Sequence, residues 1–259
     1  MSNEVLLVTG GGSGIGRSVV LKAAQRGFSV AVLDRNAESA AAVAEEAASQ
    51  GARKSAGFVC DVTSESSVIS AFDEAEEQLG PLSGLFTSAG IERSGFAHEV
   101  SLELWEAVIA TNLTGTFLSC RQALRSLLKS GSQGSLVCCS SPASFVGFSA
   151  GRASAYSASK GGVSALVRTL AVDYAKYGIR CNAVVPGATE TPLMWVNVPE
   201  DQRSRARAQV NSEVPLGRLA EPSEPADAVL WLLSEESKYV TGSHLVCDGG
   251  ILAKASTSF

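Results

Sequence analysis

A glycine-rich turn near the start of the chain constrains its fold more strongly than any other sequence feature. The turn, residues 9–16, follows a short apolar run that is rich in β-branched residues, Val5–Thr9. Apolar residues then recur at helical spacing over residues 15–26, and a second short apolar run occupies Ser29–Asp34. This order of strand, turn, helix and strand predicts an α/β sheet.

The spacing of the glycines indicates what the turn binds. It reads Gly10-x-x-x-Gly14-x-Gly16, which differs from the common GxGxxG pattern in every register. Small residues at such a turn let backbone amides and the helix N terminus approach a pyrophosphate. A tight strand–helix connection is the alternative, but the position of the turn between the first strand and Asp34 favours nucleotide binding.

Strand and helix patterns alternate along the rest of the chain. Such an alternation predicts parallel strands joined by right-handed crossovers, hence a Rossmann-type, doubly wound α/β sheet of about seven strands with helices on both faces. Ligands of such sheets bind at the carboxyl ends of the strands. Further strands are expected over residues 55–60, 84–88, 135–139, 180–185 and 244–246. Helices are expected over residues 37–49, 65–79, 101–108, 112–128, 155–177 and 222–233.

Composition and segment lengths exclude several classes of protein. The 259 residues contain no linker-like stretch, so we expect one domain over residues 1–259. A net charge of −5 argues against a nucleic-acid partner. The first residues lack the basic segment and the apolar length of a signal peptide, and the longest uncharged run, residues 130–151, is too rich in serine and glycine to span a membrane. We therefore expect a cytoplasmic protein without a membrane partner.

Neither disulfide nor metal chemistry is indicated. The six cysteines show no CxxC spacing and have no histidine nearby, so we expect reduced and mostly buried thiols. His98 and His244 are each isolated from any cluster of carboxylates or cysteines. We therefore expect no metal site.

Tyr156 and Lys160 stand four residues apart in a predicted helix, so their side chains share a face. Tyrosine titrates near pH ~10, and a proton carrier near neutrality needs a pKa lower by roughly 3 units, or about 4 kcal/mol. The Lys160 ammonium would supply part of this shift, and a positively charged oxidised nicotinamide ring close by would supply the rest. The pair and the glycine turn together point to hydride chemistry.

Acidic residues follow the second and third strands. Asp34 stands 18 residues after Gly16, where a carboxylate can accept the ribose hydroxyls of NAD and repel the 2′-phosphate of NADP. Arg35 would partly offset that repulsion, and an ordinary strand-end turn is the alternative for Asp34. Asp61 either contacts the adenine ring or, with Thr63, caps the next helix.

The glycine turn with Asn112, Ser141, Tyr156 and Lys160 resembles the short-chain dehydrogenase/reductase family, in its shorter single-domain type, over essentially the whole chain. The segments 186–191, 217–222 and 248–250 are similar to further landmarks of that family, the first of which holds the nicotinamide carboxamide. The cofactor-binding residues predicted from the motifs and the resemblance are Gly10, Gly12, Ser13, Gly14, Ile15, Gly16, Asp34, Arg35, Asp61, Val62, Ala89, Gly90, Tyr156, Lys160, Pro186, Gly187, Thr189 and Thr191.

The resemblance also implies catalytic roles. Tyr156 is the acid and base that moves the alcohol proton, and Lys160 holds the nicotinamide ribose and acidifies Tyr156. Ser141 hydrogen-bonds the substrate oxygen, and Asn112 positions a water on the proton path from Lys160. Taken singly, Asn112 could be a packing residue within a helix and Ser141 a loop cap.

Two departures from the family pattern bear on the site. Thr87-Ser88-Ala89-Gly90 replaces the usual Asn-Asn-Ala-Gly, so Ser88 stands where the family has the asparagine that joins the central strands, while the cofactor-facing Ala89-Gly90 is kept. The segment between Ser141 and Tyr156 is longer than is common, which leaves Ser140 and Ser144 as weaker candidates for the substrate-orienting hydroxyl.

The expected activity is that of an NAD-dependent oxidoreductase that interconverts a secondary alcohol and a ketone. Apolar residues after Gly90, Ser141 and Thr191 predict a pocket for alicyclic, aromatic or medium-chain substrates, under a lid at residues 191–215 with a helix over residues 200–211. Alternatives are a 3-oxoacyl-thioester or sugar-alcohol substrate, an epimerase or dehydratase, and a non-catalytic dinucleotide-binding protein.

The same resemblance predicts the oligomeric state. It implies a homotetramer in which the two long helices over residues 112–128 and 155–177 pack between subunits. Apolar residues of the second helix could instead be pure core, because amphipathicity does not identify the partner of a helix. The residues in question are Val163, Leu166, Val167 and Leu170.

Overall fold

The computed structural model describes residues 4–93, 95–148 and 151–254. Seven parallel strands form one sheet in the order β3-β2-β1-β4-β5-β6-β7. The strands are Val5–Thr9 (β1), Ser29–Asp34 (β2), Ser55–Val59 (β3), Gly84–Thr87 (β4), Gly134–Cys139 (β5), Ile179–Pro186 (β6) and His244–Cys247 (β7). Because β1 lies between β2 and β4, the strand order reverses at this point, which is where open α/β sheets bind their ligands.

Helices cover both faces of the sheet, as the alternating pattern predicts. They are Gly14–Gln25 (α1), Ala37–Ser49 (α2), Glu65–Leu79 (α3), Leu102–Ile109 (α4), Gly115–Ser130 (α5), Ser154–Tyr174 (α6), Arg203–Glu213 (α7) and Ser223–Leu233 (α8). The doubly wound, Rossmann-type architecture is therefore confirmed. Within the described ranges, no helix combines the length and the apolar character that crossing a membrane requires.

The prediction of separate helices over residues 101–108 and 112–128 was wrong. A π turn at Ala110–Thr114 joins α4 directly to α5. Such a turn inserts an extra residue into a helix without ending it, and neither glycine nor proline interrupts this junction. Asn112 lies in the π turn, and its side chain is fully buried.

Two apolar layers, one on each face of the sheet, form the core. One layer packs α3, α5 and α6 against the sheet, and the other packs α1, α2 and α8. Val163, Val167 and Leu170 of α6 belong to the first layer, and Leu166 packs against it. This stripe of α6 therefore packs against the core of the chain, and the predicted homotetramer stays a prediction.

Candidate active site

The glycine turn after β1 has no room for a side chain at either of its two ends. Gly10 has a φ of +65°, and a Cβ placed on it would lie 2.6 Å from the amide nitrogen of Ala89. A Cβ on Gly16 would lie 2.2 Å from the carbonyl oxygen of Gly10. The turn therefore packs directly against the loop that follows β4, with no room for side chains between the two backbones.

Asp34 holds this turn from the end of β2. Its Oδ2 accepts a hydrogen bond from the Gly12 amide at 3.0 Å, and its Oδ1 accepts one from the Asn36 amide at 3.0 Å. The carboxylate is half-buried beside the turn. It therefore closes a local turn at the end of β2 and also bonds across to the glycine turn, and its binding of the ribose stays a prediction.

The helix that follows the turn begins with unsatisfied amides. Ser13 is the N-cap of α1, but its side chain makes no capping hydrogen bond, so Gly14 and Ile15 present amides at the positive end of the helix dipole. The Thr191 methyl also lies beside this turn, because a Cβ placed on Gly14 would be 3.3 Å from it. The segment after β6 thus reaches the glycine turn.

These features fit a dinucleotide. The glycines keep side chains out of the turn, the amides of α1 suit a pyrophosphate, and a carboxylate stands beside them. Gly187 approaches Asp248 so closely that a Cβ would lie 2.6 Å from its Cα, and the Thr189 hydroxyl donates to the Gly187 carbonyl at 3.0 Å. Pro186 is the last residue of β6, so this segment leaves the sheet at the same edge as the glycine turn.

At the end of β3, Asp61 does not cap the next helix. Its Oδ1 accepts hydrogen bonds from the amide and hydroxyl of Thr63, whereas Ser64 is the N-cap of α3. The alternative that Asp61 caps the next helix was therefore wrong. Asp61 instead closes a local turn with the residue two positions later in the chain. Asp61 and Arg35 are exposed, and Val62 is buried against the start of α5.

Tyr156 and Lys160 lie on one face of α6, as their spacing predicts. The Lys160 Nζ is 5.6 Å from the centre of the Tyr156 ring and donates a hydrogen bond to the Cys139 carbonyl at 2.7 Å. Lys160 is buried at the carboxyl end of β5, and a Cβ on Gly90 would lie 4.0 Å from its Nζ. An ammonium has three donors, so two remain for other partners.

The groups of the chain do not by themselves make Tyr156 acidic. Burial raises the pKa of Tyr156 well above its ordinary value, and the charges of Cys139 and Glu92 raise it further. A hydrogen bond with the Ser141 side chain offsets part of this rise in pKa. The Lys160 ammonium donates to the Cys139 carbonyl, and the lowering of the Tyr156 pKa by Lys160 together with the nicotinamide ring stays a prediction.

Of the three serines after β5, Ser141 has the hydroxyl suited to a substrate oxygen. Its Oγ accepts a hydrogen bond from the Ala143 amide at 3.2 Å, which leaves its own proton to be donated. Ser144 donates to the Ser141 carbonyl at 2.6 Å, and Ser140 pairs with Ser164 at 2.8 Å. Ser140 and Ser144 are therefore engaged in holding the loop.

The Asn112 side chain connects the loop after β4 to the catalytic helix. Its Oδ1 accepts from the Ile91 amide at 2.8 Å, and its Nδ2 donates to the Ile91 carbonyl at 3.0 Å and to the Ser159 Oγ at 3.1 Å. The Ser159 hydroxyl in turn donates to the Tyr156 carbonyl at 2.7 Å. Both amide protons of Asn112 are therefore engaged, and the side chain holds the Ile91 main chain against α6.

The replacement of Asn-Asn by Thr87-Ser88 is accommodated in the main chain. The Ser88 amide donates to the Thr9 carbonyl at 3.0 Å and continues the pairing of β4 with β1. The Thr87 hydroxyl is buried and has no hydrogen-bond partner among the described residues. At this position a main-chain hydrogen bond therefore joins β4 to β1, whereas the family pattern uses an asparagine side chain.

A polar cluster attaches the predicted lid to the end of β6. Trp195 donates to Glu190 Oε1 at 2.6 Å, and Arg207 of α7 pairs with Glu190 Oε2 at 2.5 Å and lies over the Trp195 ring. The lid helix occupies Arg203–Glu213, after a 3-10 turn at Glu200–Gln202, so it lies slightly later in the chain than residues 200–211. The contact between Glu190 and Arg207 was not predicted, because sequence spacing alone does not pair the two residues.

Comparisons with known proteins agree with this geometry. Residues 10–252 match a family model described as enoyl-(acyl carrier protein) reductase. The chain is 40% identical to a 2,5-dichloro-2,5-cyclohexadiene-1,4-diol dehydrogenase from Sphingobium indicum, covering 98% of both chains. It is 36% identical to a glucose 1-dehydrogenase from Gluconobacter oxydans, covering 96% of this chain and 92% of that one.

A solved structure shows the same likeness in three dimensions. The structure of levodione reductase superposes with a TM-score of 0.92 at 32% identity, covering 98% of this chain and 100% of that chain. These relatives are named for different substrates. The similarity therefore supports an oxidoreductase but does not identify its substrate. The chain belongs to the short-chain dehydrogenase/reductase family.

Proposed function

We propose that the protein is an NAD(H)-dependent oxidoreductase that interconverts a secondary alcohol and a ketone. The observation that carries this proposal is that Tyr156, Lys160 and Ser141 lie together at the edge of the sheet where the glycine turn and Asp34 form a dinucleotide cradle. Neither the epimerase nor the non-catalytic alternative is favoured by any particular contact in the described structure.

Each of these side chains has a distinct part in the chemistry. Ser141 donates a hydrogen bond to the substrate oxygen and orients it toward the Tyr156 hydroxyl. In the oxidation direction the Tyr156 phenolate takes the alcohol proton, and in the reduction direction the phenol returns it. The two free donors of the Lys160 ammonium serve the ribose and the phenolate. When bound, the nicotinamide supplies the hydride acceptor or donor for the carbinol carbon.

The surroundings of the site favour an alicyclic or other apolar substrate. Phe145, Phe148 and Phe96 present large exposed apolar surfaces on the loops around Tyr156, 51%, 40% and 43% exposed respectively. The similarity to a cyclohexadienediol dehydrogenase supports a ring alcohol. The similarity to a glucose dehydrogenase and the acyl carrier protein reductase model keep sugar alcohols and 3-oxoacyl thioesters as alternatives.

A screen by cofactor absorbance tests the proposed function. Cyclohexanol and medium-chain secondary alcohols are offered with NAD and NADP, and the matching ketones with the reduced cofactors. We expect steady turnover of the apolar compounds with NAD. A preference for sugars or 3-oxoacyl thioesters without turnover of apolar ketones would overturn the proposed substrate class. Absence of turnover with every compound would overturn the proposed oxidoreductase activity.

Asp34 is expected to set the preference for NAD over NADP. At ~4 Å and an effective dielectric of ~20, each like-charge pair with a 2′-phosphate costs on the order of 4 kcal/mol before relaxation. Asp34→Asn keeps an acceptor for the Gly12 amide and removes the charge, so the ratio of kcat/KM for NAD over NADP should fall by at least about tenfold. Glu38→Gln, an exposed change in the first turn of α2, serves as the control and should not alter the ratio. Equal use of both cofactors by the wild type would show that Arg35 outweighs Asp34.

We expect a homotetramer, and the outer helices offer apolar surface for it. Leu102 of α4 is 65% exposed and Val172 of α6 is 79% exposed, while Trp105, Phe117 and Leu128 of α4 and α5 are also exposed. Multi-angle light scattering at micromolar concentration should give four times the chain mass of 26.7 kDa. A monomer mass would contradict this expectation.

A further inference from the structure

The loop after β4 carries a carboxylate that the mechanism does not use. Glu92 is partly buried, and among the residues that the structure describes none donates a hydrogen bond to its carboxylate or pairs with it. The neighbouring Arg93 donates to the Glu92 main-chain carbonyl at 3.1 Å and not to the carboxylate. A partly buried carboxylate without a partner lowers the stability of the folded protein and leaves an acceptor to which a ligand can donate a hydrogen bond.

Two anchors hold the loop that carries Glu92 beside the catalytic tyrosine. Before it, both polar atoms of the Ile91 main chain bond to the Asn112 side chain, which is tied to α6 through Ser159. After it, the Gly95 amide donates to the Arg152 carbonyl at 2.9 Å, and Gly95 forms a β-bridge with Ala153, just before α6. Ile91 and Gly95 are therefore both held at the N-terminal end of the helix that carries Tyr156.

The charge of the carboxylate also acts on the reacting group. After burial and the charge of Cys139, the negative charge of Glu92 further raises the pKa of Tyr156. Burial raises the pKa of Glu92 itself. A ligand that places a hydroxyl near Glu92 would give the carboxylate the donor that it lacks.

We propose that Glu92 is a substrate-binding residue that accepts a hydrogen bond from a second hydroxyl, so that the preferred substrates are neutral diols or hydroxyketones with an apolar body. This inference rests on the proposed function and narrows its substrate class. Exposed aromatic residues, Phe96 and Phe145, would cover the apolar body, while the carboxylate repels substrates that carry a carboxylate or phosphate near the same position.

Matched substrates test the role of Glu92. A cyclohexanediol and cyclohexanol are compared as substrates, or as competitive inhibitors of whichever alcohol the wild type oxidises. A hydrogen bond to a charged group is worth about tenfold or more in affinity, so the wild type should prefer the diol by at least that factor. Glu92→Leu should abolish the preference for the diol over cyclohexanol, through KM or the inhibition constant of the diol.

Glu99→Gln is the control, since Glu99 lies on the same loop with 60% of its side chain exposed. This variant should keep the wild-type preference. Glu92→Leu should also melt no lower than the wild type, because it removes a buried carboxylate without a partner. A drop in melting temperature of several degrees would show a structural partner for Glu92 and would overturn the inference.

The kinetic outcomes separate this inference from the proposed function. Equal affinity of the wild type for the diol and cyclohexanol would overturn the role of Glu92 and leave the oxidoreductase intact. Loss of kcat for both alcohols in Glu92→Leu would make Glu92 part of the proton path and would overturn its role in selectivity. If the wild type oxidises no alcohol with either cofactor, the proposed function fails and this inference fails with it.

Discussion

Tyr156→Phe is expected to lower kcat for alcohol oxidation and ketone reduction by about 10²–10⁴-fold, the usual contribution of a general acid or base. The substitution removes only the phenolic oxygen and keeps the ring on α6. Cofactor binding, followed by quenching of tryptophan fluorescence or by calorimetry, should be unchanged within about threefold, because the glycine turn and Asp34 are untouched. A variant within a few-fold of wild-type kcat would contradict the assignment of Tyr156.

The dependence of the rate on pH gives a second measure of Tyr156. Burial raises the pKa of Tyr156 above its ordinary value. Below that raised pKa the neutral phenol predominates. Oxidation needs the phenolate and reduction needs the phenol, so oxidation should accelerate and reduction should slow as the pH rises. The residual activity of Tyr156→Phe should lose this opposite dependence. The same slope in both directions for the wild type would argue against a single acid–base group.

Gly16→Ala is expected to weaken cofactor binding by at least about 100-fold, since displacement of a binding group by about 1 Å can cost that much. The new methyl group would lie 2.2 Å from the Gly10 carbonyl oxygen, a separation that a Cβ cannot adopt. The turn would have to move away from α1 or from the loop after β4. Overpacking of this kind also costs about 1–3 kcal/mol of unfolding free energy.

Gly161→Ala is the matched control for this change. Gly161 lies in α6, and a Cβ built on it meets no atom within 4 Å. Alanine in a helix is favoured over glycine by roughly 0.5–1 kcal/mol, so this variant should bind cofactor normally and melt no lower than the wild type. Wild-type cofactor affinity in Gly16→Ala would show that the turn does not cradle the cofactor.

The parts of the site that local sequence determines could be predicted without the structure. The sheet follows from alternating apolar runs, and the shared face of Tyr156 and Lys160 follows from helical spacing. The position of Asp34 beside the turn follows from its place at the end of the second strand. In each case the residues that meet are set by regular backbone geometry or by the common edge of a parallel sheet.

The remaining contacts depend on irregular backbone and could not be predicted. The acceptor for Lys160 is the main-chain oxygen of Cys139, 21 positions earlier, and a sequence pattern does not report which carbonyl a side chain will meet. The π turn that turns Asn112 toward Ile91 has no glycine or proline to mark it. Nothing in the sequence distinguishes Glu92 from other charged loop residues, and its position beside α6 comes from the contacts of Ile91 and Gly95.

Transfer of deuterium tests the central claim most directly. A secondary cyclic alcohol deuterated at the carbinol carbon is incubated with the enzyme and NAD, and the reduced cofactor and ketone are analysed by mass spectrometry. The proposed function predicts one deuterium on the reduced cofactor for each ketone formed, with the hydroxyl proton released to water. Ketone formed with deuterium released to solvent, or alcohol returned with altered stereochemistry and no net cofactor reduction, would contradict it.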